Sequence, residues 1–148
     1  MKLRALPITV VVVSILSTAM LATAPVPARA QTPACATVEV QNVRPEQGML
    51  MIAAYADAAS FNKSAVVSTQ MKAGAATMTF SLCGLGSASI ALTLFQDLNG
   101  NGKLDANAFG IPSEPWGASG KPAAMAAPTW ETTAVPLDGT TIVVQLSK

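Results

Sequence analysis

From Ala76 to Leu82 the chain alternates: Ala76, Met78, Phe80 and Leu82 are apolar, and Thr77, Thr79 and Ser81 are polar. A period of two is the mark of a strand with one buried face. The pattern recurs with Ala88, Ile90, Leu92 and Leu94 set against Ser87, Ser89, Ala91 and Thr93. It recurs again with Ile142, Val144 and Leu146 against Thr141, Val143 and Gln145. Val38 and Val40 mark an earlier strand that carries Glu39 and Gln41 on its other side. Met49 to Tyr55 is apolar on both faces, which predicts a central strand. Val66 to Met71 and Thr129 to Val135 are further candidate strands.

Turn signals separate these runs: Pro45-Glu46-Gln47-Gly48, Ala73-Gly74, Gly84-Leu85-Gly86 and Asp138-Gly139. No stripe at helical spacing competes, and Ala56 to Ser64 has room for one helical turn. About seven short strands so spaced predict an all-β fold, a single antiparallel β-sandwich of immunoglobulin-like or transthyretin-like type. Asn107 to Pro128 is a long Pro/Gly-rich loop, and loops of that length in small domains are functional or disordered.

The first thirty residues read differently. Lys2 and Arg4 open the chain, an uncharged apolar run follows, and Ala28-Arg29-Ala30 has the A-x-A form of a signal-peptidase site. The alternative is a retained membrane anchor, since the run approaches the ~20 residues needed to span. Pro25 and Pro27, just before the A-x-A motif, favour cleavage. The expected organisation is therefore a signal peptide over residues 1–30 and a β-sandwich over 31–148, exported to the periplasm or beyond, with no stable membrane span. A lipoprotein reading through Cys35 lacks the expected leucine before it.

Charge narrows the function classes. The 148 residues include nine basic and eight acidic side chains and no histidine. Removing Lys2, Arg4 and Arg29 with the leader leaves six basic residues against eight acidic, a net charge of −2. Neither balance suits a nucleic-acid surface. Without histidine there is no Ser-His-Asp or Cys-His catalysis and no His-ligated zinc. Cys35 and Cys83 both lie in the 31–148 segment. In an oxidising compartment an even pair points to one disulfide, worth roughly 2–4 kcal/mol. The alternative is two buried thiols that pack as small hydrophobes.

The segment richest in chemistry is Asp97-Leu98-Asn99-Gly100-Asn101-Gly102-Lys103-Leu104-Asp105, of the form DxNxNGxxD. Asp97, Asn99, Asn101 and Asp105 put oxygen side chains at loop positions 1, 3, 5 and 9, Gly102 falls at the sharp turn, and Lys103 offers its backbone carbonyl. Alternate residues on a tight curl converge, which suits the six to eight hard oxygens of calcium. The bidentate carboxylate expected at position 12 is Ala108, so Asn107 or Glu114 would have to complete the shell. So few charges predict weak binding, ~10⁻⁴–10⁻³ M. The competing reading is a bare hairpin turn built on Asn99-Gly100 or Asn101-Gly102.

Beyond the loop come Phe109, Gly110-Ile111-Pro112, Glu114, Pro115-Trp116-Gly117 and Ser119. With Asp97, Asn99, Asn101, Gly102 and Asp105, this run resembles the signature of the exported bacterial family of domains of unknown function numbered 2141. The resemblance is specific over Ser87 to Ser119. Gln96 stands where the family often has histidine, Leu98 where an acidic residue is common, and Ser87-Ala88-Ser89 replaces a tyrosine-bearing strand start. The resemblance implies a small exported β-sandwich and supplies no catalytic residue.

Three function classes follow. The first is a non-catalytic binding or structural module with a calcium-stabilised loop, acting on a cell-envelope or extracellular partner. The second is a carbohydrate- or peptide-recognition surface on Trp116 and Trp130, which flank the Pro-rich loop, with Tyr55 nearby; the bland alternative is that each tryptophan plugs the core. The third is a hydrolase using Glu114 and Glu131 as paired carboxylates. Met49, Met51, Met71, Met78 and Met125 also invite a copper reading, against which core packing is the simpler account.

Overall fold

The computed structural model describes residues 34–123 and 126–147. The expected signal peptide and Met125 lie outside them. In chain order the strands are β1 (Cys35–Gln41), β2 (Met49–Tyr55), β3 (Val67–Lys72), β4 (Thr77–Cys83), β5 (Ser89–Asp97), β6 (Trp116–Ala118), β7 (Val135–Pro136) and β8 (Ile142–Gln145), with one short helix, α1 (Trp130–Thr133), before β7. They form two sheets, β4-β1-β8 and β3-β2-β5-β6, with β7 added along β5. No described helix is long and apolar enough to cross a membrane.

The core lies between the sheets and is built from the alternation. Val38 and Val40 of β1, Leu50 and Ile52 of β2, Ile90, Leu92 and Leu94 of β5 and Ile142 and Val144 of β8 are all buried together. Each such side chain contributes about 1.5–3 kcal/mol by leaving water. β2 is flanked by β3 and β5, the central place that its two apolar faces predict. Met71 and Met78 are half-buried against this core, whereas Met49 and Met51 are half-buried on the outer face of β2. The core-packing account therefore holds for the first pair and not for the second.

Two expectations need correction. Not every pair is antiparallel: β1 and β8 run parallel, with Val38 opposite Ile142 and Gln41 opposite Gln145. Parallel neighbours need a long crossover, and the strands between β1 and β8 supply it. The run from Thr129 to Val135 is not one strand. Thr129 donates its N–H to the Thr132 hydroxyl at 3.2 Å, and a single helical turn forms before the chain enters β7. Threonine side chains compete for the backbone in this way at helix starts. The helical turn expected within Ala56–Ser64 is present as one closure, Ser64 N–H to the Ser60 carbonyl at 2.9 Å.

Cys35 and Cys83 face each other across β1 and β4 and are bridged, with their Cα atoms 4.0 Å apart. At the other end of the sandwich, fully buried Gln96 closes the 44–47 loop. Its amide oxygen accepts the Arg44 N–H at 2.8 Å, and its amide nitrogen donates to the carbonyls of Arg44 and Gln47 at 2.7 and 2.6 Å. That clamp fixes the end of β5, where the acidic loop begins.

Candidate functional site

Asp97 is the last residue of β5 and only 3% exposed. Its Oδ1 accepts the N–H of Gly100 at 2.7 Å and of Asn101 at 3.2 Å, and its Oδ2 accepts that of Gly102 at 2.7 Å. One carboxylate thereby curls the loop around itself. Gly100 and Gly102 take the left-handed conformation that this curl requires, with φ of 76° and 75°.

The curl brings three side chains to one point. Asn99 donates its amide to Asp105 Oδ2 at 2.6 Å, and Asn101 donates to both Asp105 oxygens at 3.1 and 2.9 Å. The spacing predicted convergence of positions 97, 99, 101 and 105, and these residues are joined in one network. Asn101 Oδ1 also accepts the N–H of Lys103 at 2.8 Å.

Glu114 takes a different role from the ligand role expected of it. It is 6% exposed, with Oε1 on the Leu98 N–H at 2.8 Å and Oε2 on the Asp105 N–H at 3.1 Å. It buckles the two ends of the loop together. Glu114, Asp97 and Asp105 do not form a carboxylate cluster: among the described residues no three His, Cys, Asp or Glu side chains are grouped to hold a metal. Asn107 is also committed elsewhere, since its Oδ1 accepts the N–H groups of Phe109 and Ile111 at 2.9 and 3.1 Å. Any cation here depends on asparagine amides and backbone carbonyls as well as on the two aspartates.

The remaining candidates are scattered. Glu131 lies exposed on α1, where its own backbone N–H and then the Thr129 hydroxyl hold its carboxyl below the ordinary value. Glu114 is buried under the loop, and among the described residues no hydrogen bond or shared partner joins the two carboxylates. The tryptophans also part. Trp130 packs edge-on to Phe61 at 6.4 Å, beside Tyr55, in a small cluster of its own. Trp116, in β6, is half-buried beside Phe95 of β5 and lines a cleft of about 620 Å³ with Leu104, Ile111 and Pro112.

Sequence reading missed Phe95. Its place was legible, because strict alternation from Leu94 puts Phe95 on the solvent side of β5. The buckling role of Glu114 left no such trace, because it depends on a contact nine residues back in the chain.

Fold and loop together define a small, disulfide-bridged β-sandwich with an Asp/Asn-rich turn at the end of a central strand. The chain belongs to the DUF2141 family, described as "Uncharacterized protein conserved in bacteria", which it matches over residues 38–145. No curated protein and no solved structure matches it.

Proposed function

We propose that the protein is an exported, non-catalytic module whose 97–105 loop binds one calcium ion, and that the ion orders the Gly110–Trp116 segment behind it. The observation that carries this reading is the meeting of Asn99, Asn101 and Asp105 at hydrogen-bond distance, 2.6–3.1 Å. Amide oxygen and nitrogen are nearly isosteric, and which one points inward follows the partner. Turning both amides presents two carbonyl oxygens beside the Asp105 carboxylate, at the cost of the Asn101 and Lys103 N–H bonds that those oxygens accept at 3.1 and 2.8 Å. That is a hard-oxygen set of the kind calcium takes. Asn99, Asn101, Asp105 and the Lys103 carbonyl form the proposed shell, and Asp97 adds the one Oδ2 lone pair left beside the three N–H bonds its carboxylate accepts. Glu114 stays outside it and holds the ring closed.

Two aspartates balance the charge of one divalent cation, so the affinity belongs to the weak range, ~10⁻⁴–10⁻³ M. Extracellular calcium suffices at that affinity. The Cys35–Cys83 bridge supports export, because disulfides persist in oxidising compartments. Glu114 is engaged by two backbone N–H groups and Glu131 by its own helical turn, so neither supports a paired-carboxylate hydrolase.

Thermal unfolding in calcium and in chelator tests the proposal. With Kd near ~10⁻³ M, about 10 mM calcium adds about 1.4 kcal/mol and raises Tm by roughly 5 °C. An identical Tm in calcium and in EGTA would contradict it.

A further inference from the structure

The two outer faces of this sandwich differ. On the three-stranded sheet, the outward residues include Thr37, Glu39 and Gln41 of β1 with Thr77, Thr79 and Ser81 opposite them, the polar surface that a solvated face calls for. The outer face of the other sheet breaks that rule. Residues paired across strands share a face, and the register sets Gln70, Met51, Phe95 and Trp116 in one row across β3, β2, β5 and β6. The next row is Ser68, Ala53 and Thr93, all small, and it ends at buried Ala118 on β6. A tall row, half of it aromatic, beside a low one makes a trough. Tyr55, backed by Phe61 at a ring distance of 5.2 Å, stands on the far side.

Two clefts, of about 370 and 620 Å³, meet at Thr93 and Phe95 along this trough. Four strands at the usual ~4.8 Å spacing carry it across roughly 14 Å, the length of about three pyranose rings. Half-buried Met51, Phe95 and Trp116 stand side by side along it and leave part of their apolar surface open to a partner. Its chemistry selects the partner. Among the described residues, no charged side chain lines either cleft. Phosphates, acidic sugars and anionic lipid headgroups would find no counter-charge there. The polar groups present, Ser68, Gln70, Thr93 and Asn62, are hydroxyls and amides, which pair with neutral hydroxyls.

We infer that this trough binds a neutral oligosaccharide laid across the strands. The C–H faces of the rings lie on Phe95 and Trp116, whose π-faces are the negative part of the aromatic quadrupole. Hydroxyls reach Gln70, Ser68 and Thr93 along the floor and rim. The inference does not rest on calcium, although Gly102 and Leu104 of the loop border the two clefts.

Tryptophan fluorescence titrations with cellotriose, maltotriose and triacetylchitotriose test it, each in calcium and in EGTA. At least one trisaccharide gives a saturable change. Phe95→Ala weakens that binding about tenfold, and Ala53→Trp, which fills the floor, abolishes it. Val143→Ala on the opposite sheet leaves it unchanged. If Phe95→Ala does not fold, Gln70→Ala on the exposed β3 edge gives the same readout. Binding that persists in EGTA separates this site from the calcium loop. Silence from all three sugars at millimolar concentration overturns the inference. So does binding of a decaproline peptide in place of sugars, dimerisation through this face, or sugar binding retained in Ala53→Trp.

Discussion

Glu114 holds Asp105 by its backbone: one carboxylate oxygen accepts the Asp105 N–H at 3.1 Å while the other holds Leu98 at 2.8 Å. A residue past the loop thereby fixes both of its ends. Glu114→Gln replaces one acceptor oxygen with a donor that faces an N–H. Leaving one buried N–H without a partner costs about 1–3 kcal/mol. Urea unfolding is expected to show that loss, with faster hydrogen exchange at Leu98 and Asp105 than at Leu92 in the core. Equal protection of those two amides in the variant would remove Glu114 from this role.

Gly48 sits against the same loop. A Cβ built there would lie 1.9 Å from the carbonyl oxygen of Asp97, and its φ is +61°. Gly48→Ala is therefore expected to cost roughly 3 kcal/mol or more, because both backbones must move. Gly74 is the matched control, since a Cβ there meets nothing within 4 Å. Gly74→Ala is expected to leave stability within about 0.5 kcal/mol of the parent or slightly above it. Chemical denaturation of the two variants side by side checks the contrast.

The disulfide joins the first described strand to an edge strand of the same sheet. The double variant Cys35→Ala/Cys83→Ala is expected to lose roughly 2–4 kcal/mol. Hydrogen exchange should rise first at Ala36 and Leu82, which sit directly opposite each other next to the bridge. A uniform rise across β1 to its far end would show that the bridge stabilises the sheet as a whole.

Much of this was legible in the residues themselves. Alternation placed Val38, Leu92, Leu94 and Val144 in the core, and the two apolar faces of Met49–Tyr55 marked a central strand. The glycines and asparagines located the loop. The parallel contact between β1 and β8 was hidden, because it joins the first and last described strands and local pattern carries no partner information. The helix at Trp130–Thr133 was hidden by its composition: threonine and tryptophan favour strands, and a hydrogen bond between Thr129 and Thr132 prevailed. The row from Gln70 to Trp116 emerges only when the register of four strands is known.

Asp138 gives a pH-dependent signal away from the site. The Thr140 hydroxyl, followed by the Thr140 N–H, holds its carboxyl below the ordinary aspartate value. A lowered folded value means that the contribution to stability is present above the unfolded aspartate pKa and is lost as pH falls through the folded one. Thr140→Val should raise the Asp138 titration midpoint in a carbon-detected NMR experiment. An unmoved midpoint would assign the shift to another group.

Calorimetric titration of the protein with calcium is the most direct measurement, run beside the Asp105→Asn variant. The expected result is one site per chain with Kd of about 10⁻⁴–10⁻³ M, lost in the variant. Heat of dilution alone in the parent, or undiminished binding in Asp105→Asn, would contradict calcium coordination by the 97–105 loop.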